Sequence, residues 1–258
     1  MIKGGMTRHS GSEQIPADPP PQGGAEGLDG EPCLDPAVLV REHQDWIYNL
    51  VIRMAGNRED ACDATQEILI RAITHLHTFK GHSSVKTWLY RIAANHTLNM
   101  VMRQRDVVTD SFHELFESVT CAEDSDLIPG GDQTADQTFL FEETKLACMV
   151  ATLRCLDRRQ RLVFILGGIF AENARIGAAV LDMSPANFRQ ILSRARKKME
   201  AFMGEHCSLV RTGNRCRCDR MSVASIRKGY LDPQKRRYVA PDAPTLKAVI
   251  RGDVEEIQ

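Results

Sequence analysis

Apolar residues recur every three to four positions along two stretches of this chain, and neither stretch shows the alternation of a strand. In the first, Val38, Leu39, Trp46, Ile47, Leu50, Val51 and Met54 predict a helix over about 36–56, stopped at Gly56-Asn57. A second helix over about 59–78 would bury Ala64, Ile68, Leu69, Ala72, Ile73 and Leu76. Gly81 breaks the chain, and a third helix from about Ser84 to Gln104 would bury Trp88, Leu89, Ile92, Ala93 and Met100. Three amphipathic helices with short connections make a small bundle over 35–105.

The second stretch divides into helices at about 138–154, 157–168, 173–181 and 185–203. Its last pair is the most legible. Ile176 and Val180 lie four apart on a short helix, Asp182-Met183 makes a tight turn, and Ser184 stands as an N-cap before Pro185 at the first helical position. The closing helix would bury Phe188, Ile191, Leu192, Ala195 and Met199. This is a helix-turn-helix whose recognition helix starts at Pro185. The expected fold class is therefore all-α, with two small helical domains at 35–105 and 138–204. Residues 1–34, rich in Pro, Gly and small polar residues, read as disordered. Residues 106–137 read as an irregular linker around Pro129-Gly130-Gly131, and 205–258 as a Cys-containing extension.

Composition adds little until it is read by position. The chain has 258 residues and a formal net charge of −1, which taken alone argues against a nucleic-acid partner. The distribution reverses that. Asp106 to Thr144 holds eleven acidic residues and no Lys or Arg, whereas Ala151 to Arg220 holds fourteen Lys or Arg against six Asp or Glu. An acidic middle and a basic second half suggest one surface for phosphates and another segment with a different task. No apolar run is long enough for a membrane span and no secretory h-region opens the chain, which points to the cytoplasm.

Three polar surfaces stand out. Thr87, Arg91, Asn95, Asn99 and Arg103 recur every four residues on the third helix, a row without an acid, expected opposite Trp88 and Ile92. Asn can pair with base edges, and Arg with phosphate or guanine. Around the apolar stripe of the recognition helix lie Asn187, Arg189, Gln190, Ser193, Arg194, Arg196 and Lys197, behind the Ser184 cap. The first turns of such a helix reach the major groove and its later cations meet the backbone. Asp63, Gln66 and Glu67 make an exposed patch on the second helix that, by itself, reads as an ordinary solvated face. No Gly-rich phosphate loop, HExxH or nucleophile elbow occurs, so an enzyme is not expected.

These residues resemble the sigma-70 family of RNA polymerase sigma factors. Asp60-Ala61-Cys62-Asp63-Ala64-Thr65-Gln66-Glu67-Ile68-Leu69-Ile70-Arg71-Ala72 is similar to the family's D-A-x-D-x-x-Q-E-x-F-L-R-A helix. Phe79-Lys80-Gly81 followed by Thr87-Trp88-Leu89-Tyr90-Arg91-Ile92-Ala93-Ala94-Asn95 resembles F-R-G … T-W-L-Y-R-I-A-x-N. Leu156, Arg159-Gln160-Arg161 and Val163-Phe164 look like the start of the second DNA-binding domain, and Ser184 to Arg196 like its recognition helix. Two domains with a short linker match the extracytoplasmic-function (ECF) group, over roughly 36–203. The resemblance implies a sigma region 2 domain and a region 4 domain. It makes Asp63, Gln66 and Glu67 a docking patch for the beta-prime subunit of core polymerase, which also presents its beta subunit. Phe79, Thr87, Trp88, Arg91, Asn95, Asn99 and Arg103 would bind the −10 element and stabilise a flipped base. The recognition helix would read the −35 element. The acidic linker would occupy the polymerase's RNA path, and an anti-sigma factor is a further expected partner.

Two departures and one tail remain. Asp182 stands where many members have Gly, and Gly177 interrupts the scaffold helix, so a somewhat less stable helix-turn-helix is expected. In the tail, His206, Cys207, Cys216 and Cys218 supply four ligand-type side chains, although His206-Cys207 are adjacent and Cys-x-Cys is tight for zinc. Three readings stand: a zinc site at Cys207, Cys216 and Cys218, a reversible disulfide, or reduced thiols in a basic segment, with no other cofactor expected. A response regulator would need an N-terminal βα domain that is not visible, and an RNA-binding protein would leave the docking helix unexplained.

Overall fold

A computed structural model describes residues 35–101, 135–227, 229 and 231–232. The expected disordered segment 1–34, nearly all of the acidic linker and Arg103 lie outside these residues. The described part is helical: α1 (Pro36–Ala55), α2 (Arg58–Thr74), α3 (Val85–Val101), α4 (Ala135–Thr152), α5 (Arg158–Phe164), α6 (Ala174–Val180), α7 (Pro185–His206) and α8 (Cys218–Arg227). Extended pairing among them is limited to an isolated bridge between Cys207 and Cys216.

Local chemistry sets the helix ends. Asp35 accepts from the Ala37 N–H with Pro36 in the first turn, and α1 stops at Gly56, whose φ of 84° is the left-handed region. Asn57 caps α2, Asp157 caps α5, and Asn173 caps α6 by accepting from both Arg175 and Ile176. Ser184 Oγ accepts from Asn187 N–H at 3.2 Å, with Pro185 in the first turn of α7, as expected. Two expected helices end well short of their predicted limits. The helix predicted to 78 ends at Thr74, followed by a 3-10 turn, Leu76–Thr78. The helix predicted over 157–168 is the short α5 followed by a π turn, Ile165–Ile169, which is fully buried.

The blocks α1–α3 and α4–α7 share one hydrophobic core, from Leu39, Ile47, Trp88 and Leu89 through to Phe164, Phe188 and Met199. Arginines of each block cap helix C-termini of the other. The last carbonyls of α1 lack intrahelical partners, and the Arg154 guanidinium donates to Ala55 O. Arg161, fully buried, donates through Nη1 to Met54 O (3.2 Å), Nε to Leu153 O (3.0 Å) and Nη2 to Leu156 O (3.1 Å). In return Arg91 of α3 donates through Nε and Nη2 to Ala179 O near the end of α6, at 3.0 and 2.8 Å. Cations at carbonyl-rich helix ends are favourable both as hydrogen bonds and against the macrodipole. Beside them the Trp46 and Tyr90 rings meet at a tilt with centres 4.4 Å apart, and Tyr90 OH donates to Glu172, which also pairs with Lys86 at 2.8 Å.

Candidate functional site

The helix-turn-helix is built from α6 and α7. Asp182 turns the chain with a φ of 49°, the conformation for which glycine is common, and Asp tolerates it through local hydrogen bonding. Gly177 is not a weak point. A Cβ there would stand 2.3 Å from Phe188 Cζ, and Phe188 is fully buried, so α6 can seat on α7 only because residue 177 has no side chain. The glycine that interrupts the helix is thus also what lets Phe188 pack against it. Phe188, Leu192, Ala195 and Met199 face the core as predicted, while Ile191 is half-buried.

On the outer side of α7, Ser184, Asn187, Arg189, Gln190, Ser193, Arg194 and Lys197 are all exposed. Asn187, Gln190 and Arg194 fall at three- and four-residue spacing, one strip beginning in the first turn. Arg196 does not join them. It is half-buried, burial pulls its guanidinium pKa down, and Nη2 donates to Gly167 O at 3.4 Å.

Asp63, Gln66 and Glu67 are exposed on α2, with the Glu67 carboxylate 3.7 Å from His96 Nε2. The same face carries Ile70, 59% exposed, and Ile73, 38% exposed. Ile73 was expected in the core. The helix places it three residues beyond Ile70 and outside the buried line of Ala61, Ala64, Thr65, Ile68 and Ala72. An acidic and amidic patch continuous with two exposed isoleucines has the make-up of a protein-docking surface, apolar at one end and charged at the other. Sequence reading missed Ile70. Its signal was an apolar residue two positions off the stripe set by Ile68 and Ala72.

The polar row on α3 is not the uniform exposed face expected. Thr87 and Arg91 are buried, Asn95 is half-buried, and only Asn99 of the described members is exposed. Thr87 lies against the Ser84 hydroxyl at 2.9 Å, and Arg91 is held on Ala179 O. The row runs under α6, because α3 packs against the second block on this side. Trp88 is buried against the half-buried Phe79, ring centres 5.6 Å apart.

The comparisons with known proteins bear on what these surfaces are. Residues 39–107 match the Sigma-70 region 2 family. The ECF RNA polymerase sigma factor SigE of Mycolicibacterium smegmatis is 28% identical over 171 residues, 66% of this chain and 62% of that protein. The chain therefore spans just under two thirds of SigE. The RNA polymerase sigma-H factor of Pseudomonas aeruginosa is 34% identical over 168 residues, covering 63% of this chain and 83% of that protein. This chain belongs to the sigma-70 family, in its ECF group. Among solved structures, CnrH in complex with the cytosolic domain of CnrY aligns at a TM-score of 0.47 and 21% identity, over 66% of this chain and 87% of that one.

For this ECF family member the family match covers α1 to α3 and ends before α4. The α2 patch and the polar strip of α7 lie open on the described surface, whereas Thr87, Trp88 and Arg91 are buried, Arg91 against the second block. No described helix is long and apolar enough to cross a membrane.

Proposed function

We propose that the protein is a transcription-initiation subunit that binds core RNA polymerase and directs it to promoters. The observation that carries this reading is α7. It follows a short helix and a tight turn, and it displays Asn187, Arg189, Gln190, Ser193, Arg194 and Lys197 with no acid among its exposed early turns. Such a helix suits the major groove, its amides and first arginine towards base edges and its later cations towards phosphate, and here it would read the −35 element. Asp63, Gln66, Glu67 and, newly, Ile70 and Ile73 would dock on the beta-prime subunit. Phe79, Asn95 and Asn99, with Arg103, would meet the −10 element. Thr87, Trp88 and Arg91 support that surface from beneath while the two blocks are docked. An anti-sigma factor would act by covering one of these surfaces, and the site of action is the cytoplasm.

Run-off transcription with purified core polymerase tests the reading. The chain should direct initiation at defined start sites without another sigma factor. Transcripts that appear only when a second sigma factor is added would identify an activator instead.

A further inference from the structure

Three cysteines of the C-terminal segment meet a fourth from another part of the chain. The segment first turns back on itself. Cys207 follows α7, its N–H donating to Met203 O at 2.8 Å, and its own carbonyl accepts from Val210 N, Arg211 N and Asn214 Nδ2. Asn214 Nδ2 also holds Gly204 O at 2.9 Å. This knot brings Cys216 alongside Cys207, where Ser208 N–H donates to Cys216 O at 3.1 Å. Two residues on, Cys218 opens α8, which lies on α4. The contact is fixed by Thr144 Oγ1 and Ser222 Oγ at 2.7 Å, and Ser222 in turn donates to Cys218 O. One turn beyond Thr144, on the same face of α4, stands Cys148, packed against Cys216.

We propose that Cys148, Cys207, Cys216 and Cys218 form a four-thiolate site for zinc that pins the C-terminal segment to α4. His206, the fourth ligand suggested by the sequence, instead lies edge-on to Phe202, ring centres 5.1 Å apart. The donor set is all sulfur, which suits a tetrahedral d10 ion and disfavours magnesium or calcium. Packing alone leaves the segment weakly held. Its own core consists of Cys216 and Met221 with Cys148 and Ala224 against them, and small units with so little to bury are commonly stapled by metal or disulfide.

Zinc entry would release four protons and form four Zn–S bonds of about 2.3 Å. The resulting charge of −2 would be opposed by Lys145, which lies close enough to Cys218 to act on it electrostatically. Among the described residues no three His, Cys, Asp or Glu side chains already stand as a metal-ligand group, so binding would draw the sulfurs together by side-chain rotation.

The experiment uses the full chain, purified under reducing conditions without chelator, and reads metal rather than transcription. It is thus independent of the proposed promoter function. Elemental analysis should find one zinc per chain, and cobalt(II) replacement should give the intense visible bands of a tetrahedral thiolate site. Cys148→Ser should lose the zinc, while Cys155→Ser, outside the cluster, should retain it. The cobalt spectrum of the unmodified chain keeps the test decisive if Cys148→Ser does not fold. Wild-type protein that takes up neither metal overturns the proposal, as does full zinc occupancy in folded Cys148→Ser. Loss of two thiols to peroxide in metal-free protein, without zinc binding, would replace it with the disulfide reading.

Discussion

Replacing Arg161 with methionine keeps an aliphatic stem of similar reach and deletes the guanidinium. Three carbonyls lose a charged donor: Met54 O at the end of α1, and Leu153 O and Leu156 O before α5. Hydrogen bonds to charged groups contribute about 1.5–3 kcal/mol each, which sets a ceiling near 5–9 kcal/mol. Two effects reduce it. Leu153 O keeps its bond from Leu156 N–H at 3.2 Å, and burying a guanidinium carries a desolvation cost that methionine removes. We expect a net loss of about 3 kcal/mol, large against the roughly 5–15 kcal/mol that stabilises most domains. Urea unfolding followed by circular dichroism at neutral pH measures it. Arg161→Lys should recover only part, because an ammonium cannot span three carbonyls in a fixed plane. A loss under about 1 kcal/mol for Arg161→Met would refute the claim that this side chain ties α1 to the second block.

Reversing Asp63 and Glu67 to Lys should abolish co-purification with core polymerase while leaving helicity intact, since both are exposed; Ile70→Glu should weaken it too. Arg189→Ala should weaken −35 binding by about 1–3 kcal/mol if it reads a base, whereas Arg196→Ala should act mainly on unfolding midpoints. Gly177→Ala should cost about 2 kcal/mol or more through its clash with Phe188, seen as a lowered melting temperature. His43 accepts from Trp46 Nε1 at 3.2 Å, and burial depresses its pKa below the ordinary 6.5. The unfolded chain then binds more protons as pH falls from about 6.5 through the folded-state pKa. Stability should decline across that window, and His43→Gln should flatten the decline.

Much of this architecture was readable in the order of residues because its causes are local. Asp35-Pro36 and Ser184-Pro185 are start signals that act within one turn, and the apolar stripe of α7 needs no partner to be recognised. The interblock features are different. Arg91 read as part of an exposed polar row, and nothing singled out Arg154 or Arg161 as interblock contacts, because sequence carries no sign of which helix end lies opposite. Gly177 looked like a defect until Phe188 was placed against it. Ile73 looked interchangeable with its buried neighbours and Ile70 was passed over, since a shift of one or two residues on a helix is a small change in pattern and a large rotation in space. Cys148 lies about sixty residues before the next cysteine of its cluster, beyond the reach of any spacing rule.

The hold of Arg91 on the end of α6 has a thermodynamic consequence for anything that requires that guanidinium. Such a ligand binds only the fraction of molecules in which Arg91 has left Ala179 O, so its apparent dissociation constant is the intrinsic one divided by that fraction. Each 1.4 kcal/mol by which the docked arrangement is favoured weakens apparent binding about tenfold. Substitutions that loosen the packing of α6 on α3, remote from any ligand, would therefore tune affinity by changing how often the arginine is released.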